Sequence, residues 1–117
     1  MTGVALVTGG AGGIGRAIAE RLVESGYLVV SGDITDQAGH GSGTTPCHLD
    51  VSSDESVQEA VGLIRGLGSL RAVVNCAGLL RTTPLDDTEF DDVEAMVAVN
   101  LLGTMRVCRA TAPLLAP

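Results

Sequence analysis

Five glycines fall within positions 9–15 of the stretch Thr8-Gly9-Gly10-Ala11-Gly12-Gly13-Ile14-Gly15, too many for an ordinary turn. The run before it, Val4-Ala5-Leu6-Val7, is continuously apolar, as expected of a parallel strand buried on both faces. The residues after it, Ile14, Ala17, Ile18 and Leu22, recur at the spacing of one apolar helix face. The stretch is therefore a strand turning into a helix. Glycine lets bare backbone N–H groups approach a ligand, and the first turn of a helix offers N–H groups without intrahelical acceptors together with about half a positive charge. A pyrophosphate suits such a place.

Two glycine registers overlap here. Gly10, Gly12 and Gly15 fit G-x-G-x-x-G, whereas Thr8, Gly9, Gly13 and Gly15 fit T-G-x-x-x-G-x-G. Either alone also describes a glycine-rich turn with no ligand. A nucleoside triphosphate loop is excluded, because it requires G-K-[ST] and the sequence contains no lysine.

The remaining pattern extends the first unit. Residues 27–32 read as a second buried strand after a helix stop at Gly26, and Asp33 follows, 18 positions beyond Gly15. That spacing suits a carboxylate accepting from an adenosine ribose; a strand-end Asp also caps turns. Residues 36–45 are polar and glycine-rich, which predicts a loop with His40 in it. A third strand is expected over 46–51, with His48 a strand residue. Ser52 and Glu55 then form a capping box for a helix carrying Val57, Ala60, Val61 and Ile64, ended by Gly66 and Gly68. Residues 70–74 predict a fourth strand, with Asn75-Cys76-Ala77-Gly78 at its carboxyl end, the side on which open α/β sheets bind ligands. Beyond a loop over 79–88, Thr88 is placed to N-cap a helix in which Phe90, Val93, Val97, Leu101 and Thr104 share a face. It continues to about Ala112, where Pro113 ends or bends it; Asn100, in its middle, either bends the helix or serves a site.

The order β-α-β-loop-β-α-β-α predicts an α/β fold with a parallel sheet, right-handed crossovers and strand order 3-2-1-4 in one domain over residues 1–117. With 14 acidic and 7 basic residues and a net charge of −7, the chain is a poor partner for nucleic acid or an anionic membrane. No apolar stretch is long enough to span a bilayer and no secretion signal is visible, so a cytoplasmic protein is expected. Cys47, Cys76 and Cys108 are widely spaced and read as buried free thiols, with no metal site.

Thr8–Gly15, Asp33, Asp50-Val51, Asn75–Gly78 and Asn100-Leu101-Leu102-Gly103-Thr104, in this order, make the whole chain resemble the short-chain dehydrogenase/reductase family. The resemblance implies a Rossmann-type doubly wound sheet and a nicotinamide cofactor, NAD by reason of Asp33. It would set Gly9, Gly13, Ile14 and Gly15 along the pyrophosphate and Asp33 on the ribose. Asp50 and Val51 would flank the adenine, and Asn75, Ala77 and Gly78 would lie under the nicotinamide half. Asn100 would belong to the proton relay, through a bound water. It further implies a small alcohol or carbonyl substrate, a homo-oligomer, and a fifth strand, Ser and Tyr-x-x-x-Lys beyond residue 117. Tyr27, the only tyrosine, is followed at +4 by Ser31. Three readings follow: the cofactor-binding part of an oxidoreductase, truncated before the fifth strand; a non-catalytic dinucleotide-binding module or redox sensor; and a partner-binding remnant.

Overall fold

The central strand β1 (Val4–Thr8) buries all five of its residues, and this follows from its position between two neighbours and two helical layers. The structure is a computed structural model that describes residues 3–37 and 43–115. Its sheet has the order β3-β2-β1-β4, with β2 Leu28–Asp33, β3 Thr44–His48 and β4 Leu70–Asn75, every pairing parallel. The sheet is doubly wound, as the alternation along β1 shows. Val4 and Leu6 join Val30, Val57, Ala60, Ile64 and Val107 in one core, while Ala5 and Val7 join Val29 and Ala19 in the other. Helices α2 (Asp54–Leu67) and α4 (Thr104–Thr111) cover the first face, and α1 (Gly13–Glu24) covers the second.

Register puts the functional segments in one row. Thr8 pairs with Gly32 on one side and Asn75 on the other, and Asp33 pairs with His48, so the carboxyl ends of all four strands are level. The expected strand order and fold class hold.

Local boundaries differ where side chains compete for the backbone. α2 is capped by Ser53, whose Oγ accepts from the N–H of Ser56 at 3.2 Å, and not by Ser52. The Ser52 hydroxyl is instead spent on Asp50 Oδ1 at 2.6 Å. Gly66 lies within α2, and only Gly68, at φ +150°, ends it. Thr88 does not cap α3 (Phe90–Met96), because its hydroxyl donates to the carbonyl of Pro84; Glu89 occupies that position without a side-chain cap. β3 starts at Thr44 and ends at His48, earlier at both ends than the sequence suggests. Pro46, which has no N–H, is tolerated there because β3 is an edge strand. Of the expected 36–45 loop, 38–42 with His40 lie outside the described residues. The Gly26 stop is as expected: at φ +95° its N–H reaches the carbonyl of Val23 while that of Tyr27 reaches Leu22.

The long helix after residue 89 departs most. Between α3 and α4 it opens into a π-helical segment, Val97–Gly103, centred on Asn100. Wider turns shift the phase of everything beyond. Val99, Gly103, Val107 and Thr111 face the sheet, while Leu101 and, ahead of the π segment, Phe90 at 78% exposure face outward; of the residues expected to share a face, Val93 and Thr104 are half-buried. On the outer side of β4, Leu115 already forms a parallel bridge with Leu70, so a fifth strand position is entered before residue 117. Val73 packs on the α2 side and Ala72 and Val74 on the α1 side, so the apolar side chains of β4 are partly covered.

Ser53→Ala should lower unfolding free energy in urea by about 1 kcal/mol. Ser52→Ala, whose hydroxyl acts on stability through the Asp50 carboxylate, should change it by less than about 0.5 kcal/mol once Asp50 is protonated at low pH. Equal losses would mean that both serines cap the helix.

Candidate functional site

At the end of β1 the backbone turns on Gly9, which takes φ +66°. A Cβ there would meet the Cys76 carbonyl and the Ala77 nitrogen at 2.7 Å, so only glycine lets this turn lie against the end of β4. Thr8 locks the same seam. Its Oγ1 accepts from the N–H groups of both Cys76 and Ala77 at 3.1 Å. A Cβ on Gly15 would overlap the carbonyl oxygen of Gly9, and one on Gly10 would overlap the Ser31 hydroxyl, so these two glycines serve packing of the turn on α1 and β2. Gly13 is different: a Cβ there meets nothing within 4 Å. No packing contact calls for glycine at that position.

Asp33 stands at the carboxyl end of β2 and does two things at once. Its Oδ2 accepts from the N–H of Ala11 at 3.0 Å, and its Oδ1 accepts from the N–H of Thr35 at 2.9 Å. The first bond ties the glycine turn to β2, and the second is the strand-end turn that the sequence also allowed. Asp50 is held similarly after β3: Oδ1 accepts from the backbone and the hydroxyl of Ser52, and among the described residues Oδ2 takes no hydrogen bond. The Ser52 hydroxyl first, and its N–H second, hold the Asp50 carboxyl below the usual carboxylate range, with His48 and Arg106 adding to the effect.

These segments enclose a cleft of about 550 Å³ at the carboxyl edge of the sheet. Gly9, Gly12 and Ala11 form one wall, Asp33, Ile34 and Thr35 the next, Leu49, Asp50 and Val51 the third, and Cys76, Ala77, Gly78, Leu79, Arg81 and Val99 close it. Of the residues singled out in the sequence, Gly9, Asp33, Asp50, Val51, Ala77 and Gly78 thus meet in one place. Gly13, Ile14, Gly15, Asn75 and Asn100 do not line it. Ile14 sits at the start of α1 with its side chain 76% exposed. Asn75 points to the helical layer, where its Nδ2 lies 3.6 Å from Cys108 Sγ and its Oδ1 is buried without a partner. The side chain of Asn100 forms a closed pair with Leu79, accepting from its N–H and donating to its carbonyl, both at 2.8 Å. Its amide acts on the cleft through the segment after Gly78.

Ile34, Leu79, Arg81 and Val99 were not legible as site residues. Arg81 pairs with Asp92 at 3.8 Å, and nothing in its sequence neighbourhood marks it out. Of the three cysteines, Cys47 and Cys76 are half-buried but Cys108 is exposed, contrary to the expectation that all are buried. Burial, and then the charge of Glu59, push the Cys47 thiol up. Among the described residues no helix is long and apolar enough to cross a membrane.

The family model for short chain dehydrogenases matches residues 3–116. The human 3-hydroxyacyl-CoA dehydrogenase type-2 is 36% identical over 122 aligned positions, which cover 93% of this chain and 47% of that protein. D-threitol dehydrogenase from Mycolicibacterium smegmatis is 32% identical over 92% of this chain and 45% of its own length. Among solved structures, the ligand-free aldohexose dehydrogenase of Thermoplasma acidophilum superposes with a TM-score of 0.89 at 29% identity, over 97% of this chain and 44% of that one. The chain spans about half the length of the curated relatives it matches.

Two outcomes test the geometry. Thr8→Val strips the acceptor from the Ala77 N–H, while that of Cys76 keeps the Thr8 carbonyl at 3.1 Å, and should cost about 1 kcal/mol in chemical denaturation. Because the Asp50 carboxyl is held low in the folded state, its contribution is present above the unfolded carboxylate pKa and is lost as pH falls through the folded one. Ser52→Ala should therefore raise the Asp50 pKa in a carboxyl NMR titration and move acid unfolding to higher pH; an unmoved Asp50 would contradict the assigned cause.

Proposed function

The chain belongs to the short-chain dehydrogenase family, and from that premise we propose that it forms the NAD(H)-binding part of an oxidoreductase acting on a small alcohol or carbonyl compound. The observation that carries the reading is the cleft itself, where a glycine turn, two strand-end carboxylates and a low floor of small residues face one volume. The residues present fit a dinucleotide. Gly13, with no packing reason to be glycine, leaves the amino end of α1 open to a diphosphate, and Gly9, Ile14 and Gly15 complete that turn. Asp33 would accept from the ribose hydroxyls, and Asp50 would use its open Oδ2 for the adenine amino group beside Val51. Ala77 and Gly78 would lie under the nicotinamide half, with Asn75 supporting them from below the floor.

When bound, a nicotinamide cofactor supplies the hydride acceptor or donor for the reaction. The chain's own residues orient it and hold the floor; Asn100 fixes Leu79 beside it and so positions the site, and a part in the proton relay would fall to its backbone or to a water held there. These 117 residues contain no lysine, so no Tyr-x-x-x-Lys pair is available to exchange the substrate proton. We read the protein as cytoplasmic and homo-oligomeric, with Leu101 and Met105 as apolar surface for association; neither nucleic acid nor membrane is a partner in this reading.

Asp33 favours NAD over NADP, since a 2′-phosphate would meet a like charge that is only partly shielded by solvent. Gly12 provides no counter-charge, and Arg16 is paired with Glu20 at 3.2 Å. Calorimetry should show NAD(H) bound at least about tenfold more tightly than NADP(H), roughly 1.4 kcal/mol, and Asp33→Asn should shrink that ratio. Equal affinities of the unmodified chain would contradict the cofactor assignment. The 117-residue chain should also produce no NADH from any alcohol, and turnover would refute the role given to the absent Tyr-Lys pair.

A further inference from the structure

Arg106 of α4 lies on the far side of the β3–α2 turn from the cleft, yet two strong contacts tie it to that turn. Its Nη1 donates to the carbonyl of Val51 at 2.8 Å, and its Nε donates to Asp54 Oδ1 at 2.7 Å. The Arg106 side chain is only 22% exposed; its bond to the Val51 carbonyl is part-buried, whereas the one to Asp54 lies at the surface. A second contact reaches the same residue from the same helical layer. A Cβ on Gly103 would come within 2.6 Å of Val51 Cγ2, so the glycine lets the helix press directly on that side chain.

Val51 is therefore gripped at its carbonyl by Arg106 and at its side chain by Gly103. It is also the neighbour of Asp50, whose remaining bonds are local ones to Ser52, Ser53 and Ser56. Local bonds shape the turn; Leu49, whose N–H donates to the Asp33 carbonyl and whose side chain lies in the core, seats it against β2, and the α4 contacts fix it from the helical side. We infer that Arg106 is a positioning residue for base recognition, holding the Asp50-Val51 wall at the place where Asp50 Oδ2 can read the amino group of a purine. The inference rests on the dinucleotide reading above and adds to it a residue outside the cleft.

A planar guanidinium serves a carbonyl and a carboxylate at once, which a lysine ammonium does not reproduce. Arg109 provides an internal control, since it approaches the same Asp54 oxygen at 3.7 Å without touching Val51.

The test is calorimetric titration of the full chain with NAD and with nicotinamide hypoxanthine dinucleotide, which carries an oxygen where adenine carries the amino group. The unmodified chain should prefer NAD by about tenfold. Arg106→Gln should bring the ratio to within about twofold of unity, Arg106→Lys should fall between, and Arg109→Gln should keep the full preference. A merely structural role would weaken both dinucleotides alike and leave the ratio unmoved. Circular dichroism verifies folding of each variant, and Arg106→Lys carries the comparison if Arg106→Gln does not fold. A preference retained in both Arg106 variants, or absent from the unmodified chain while NAD still binds, overturns the inference and leaves the cofactor reading standing. An unmodified chain that binds neither dinucleotide overturns both.

Discussion

The seam between the ends of β1 and β4 is the constraint on which the site depends. The Cys76 carbonyl and the Ala77 nitrogen, just after β4, lie where a side chain at Gly9 would be, and the Thr8 hydroxyl accepts two N–H groups from the same segment. The close approach has two consequences. It sets the floor, Cys76 to Gly78, at a fixed height under the glycine turn, and it forces α1 to begin against that turn, so that Gly15 must also lack a side chain. One steric condition thus places a helix terminus, a strand end and a cleft floor together.

The helical layer opposite α1 plays a quieter part. A π-helical stretch costs helix regularity, and it occurs here where the helix must meet two walls of the cleft at once. Asn100 pairs with the backbone of Leu79 on one wall, and Gly103 lies against Val51 on the other. They lie three positions apart, within one turn, so a single stretch of helix spans both contacts. The buried Oδ1 of Asn75, without a partner, lies on this same side of the sheet and is an unspent polar group in the supporting layer.

Charge follows the same division. The cleft carries two carboxylates, and each accepts from backbone N–H groups before any ligand is considered: Asp33 at both oxygens, from Ala11 and Thr35, and Asp50 at Oδ1, from Ser52. Such bonds orient a carboxylate as an acceptor for hydroxyl or amino donors.

What the sequence alone determined was everything that rests on local pattern. The apolar run 4–7, the glycine turn, Asp33 at the end of β2 and the periodicity of Val57 to Ile64 fixed the parallel sheet and its order, because strand burial and helix amphipathicity write themselves at short range. Six of the expected site residues meet in the cleft for that reason. The tertiary structure decided what depends on competition between groups distant in the chain. Ser52 and Ser53 are both able to cap α2, and only the position of the Asp50 carboxylate assigns one to each task. The phase of the long helix beyond residue 97 turned on a π segment that a 3.6-residue period does not reveal, so Leu101 faces outward while Val107 faces in. Asn100 holds Leu79 and Arg106 holds Val51 across 20 or more residues of chain, through contacts for which no spacing rule exists.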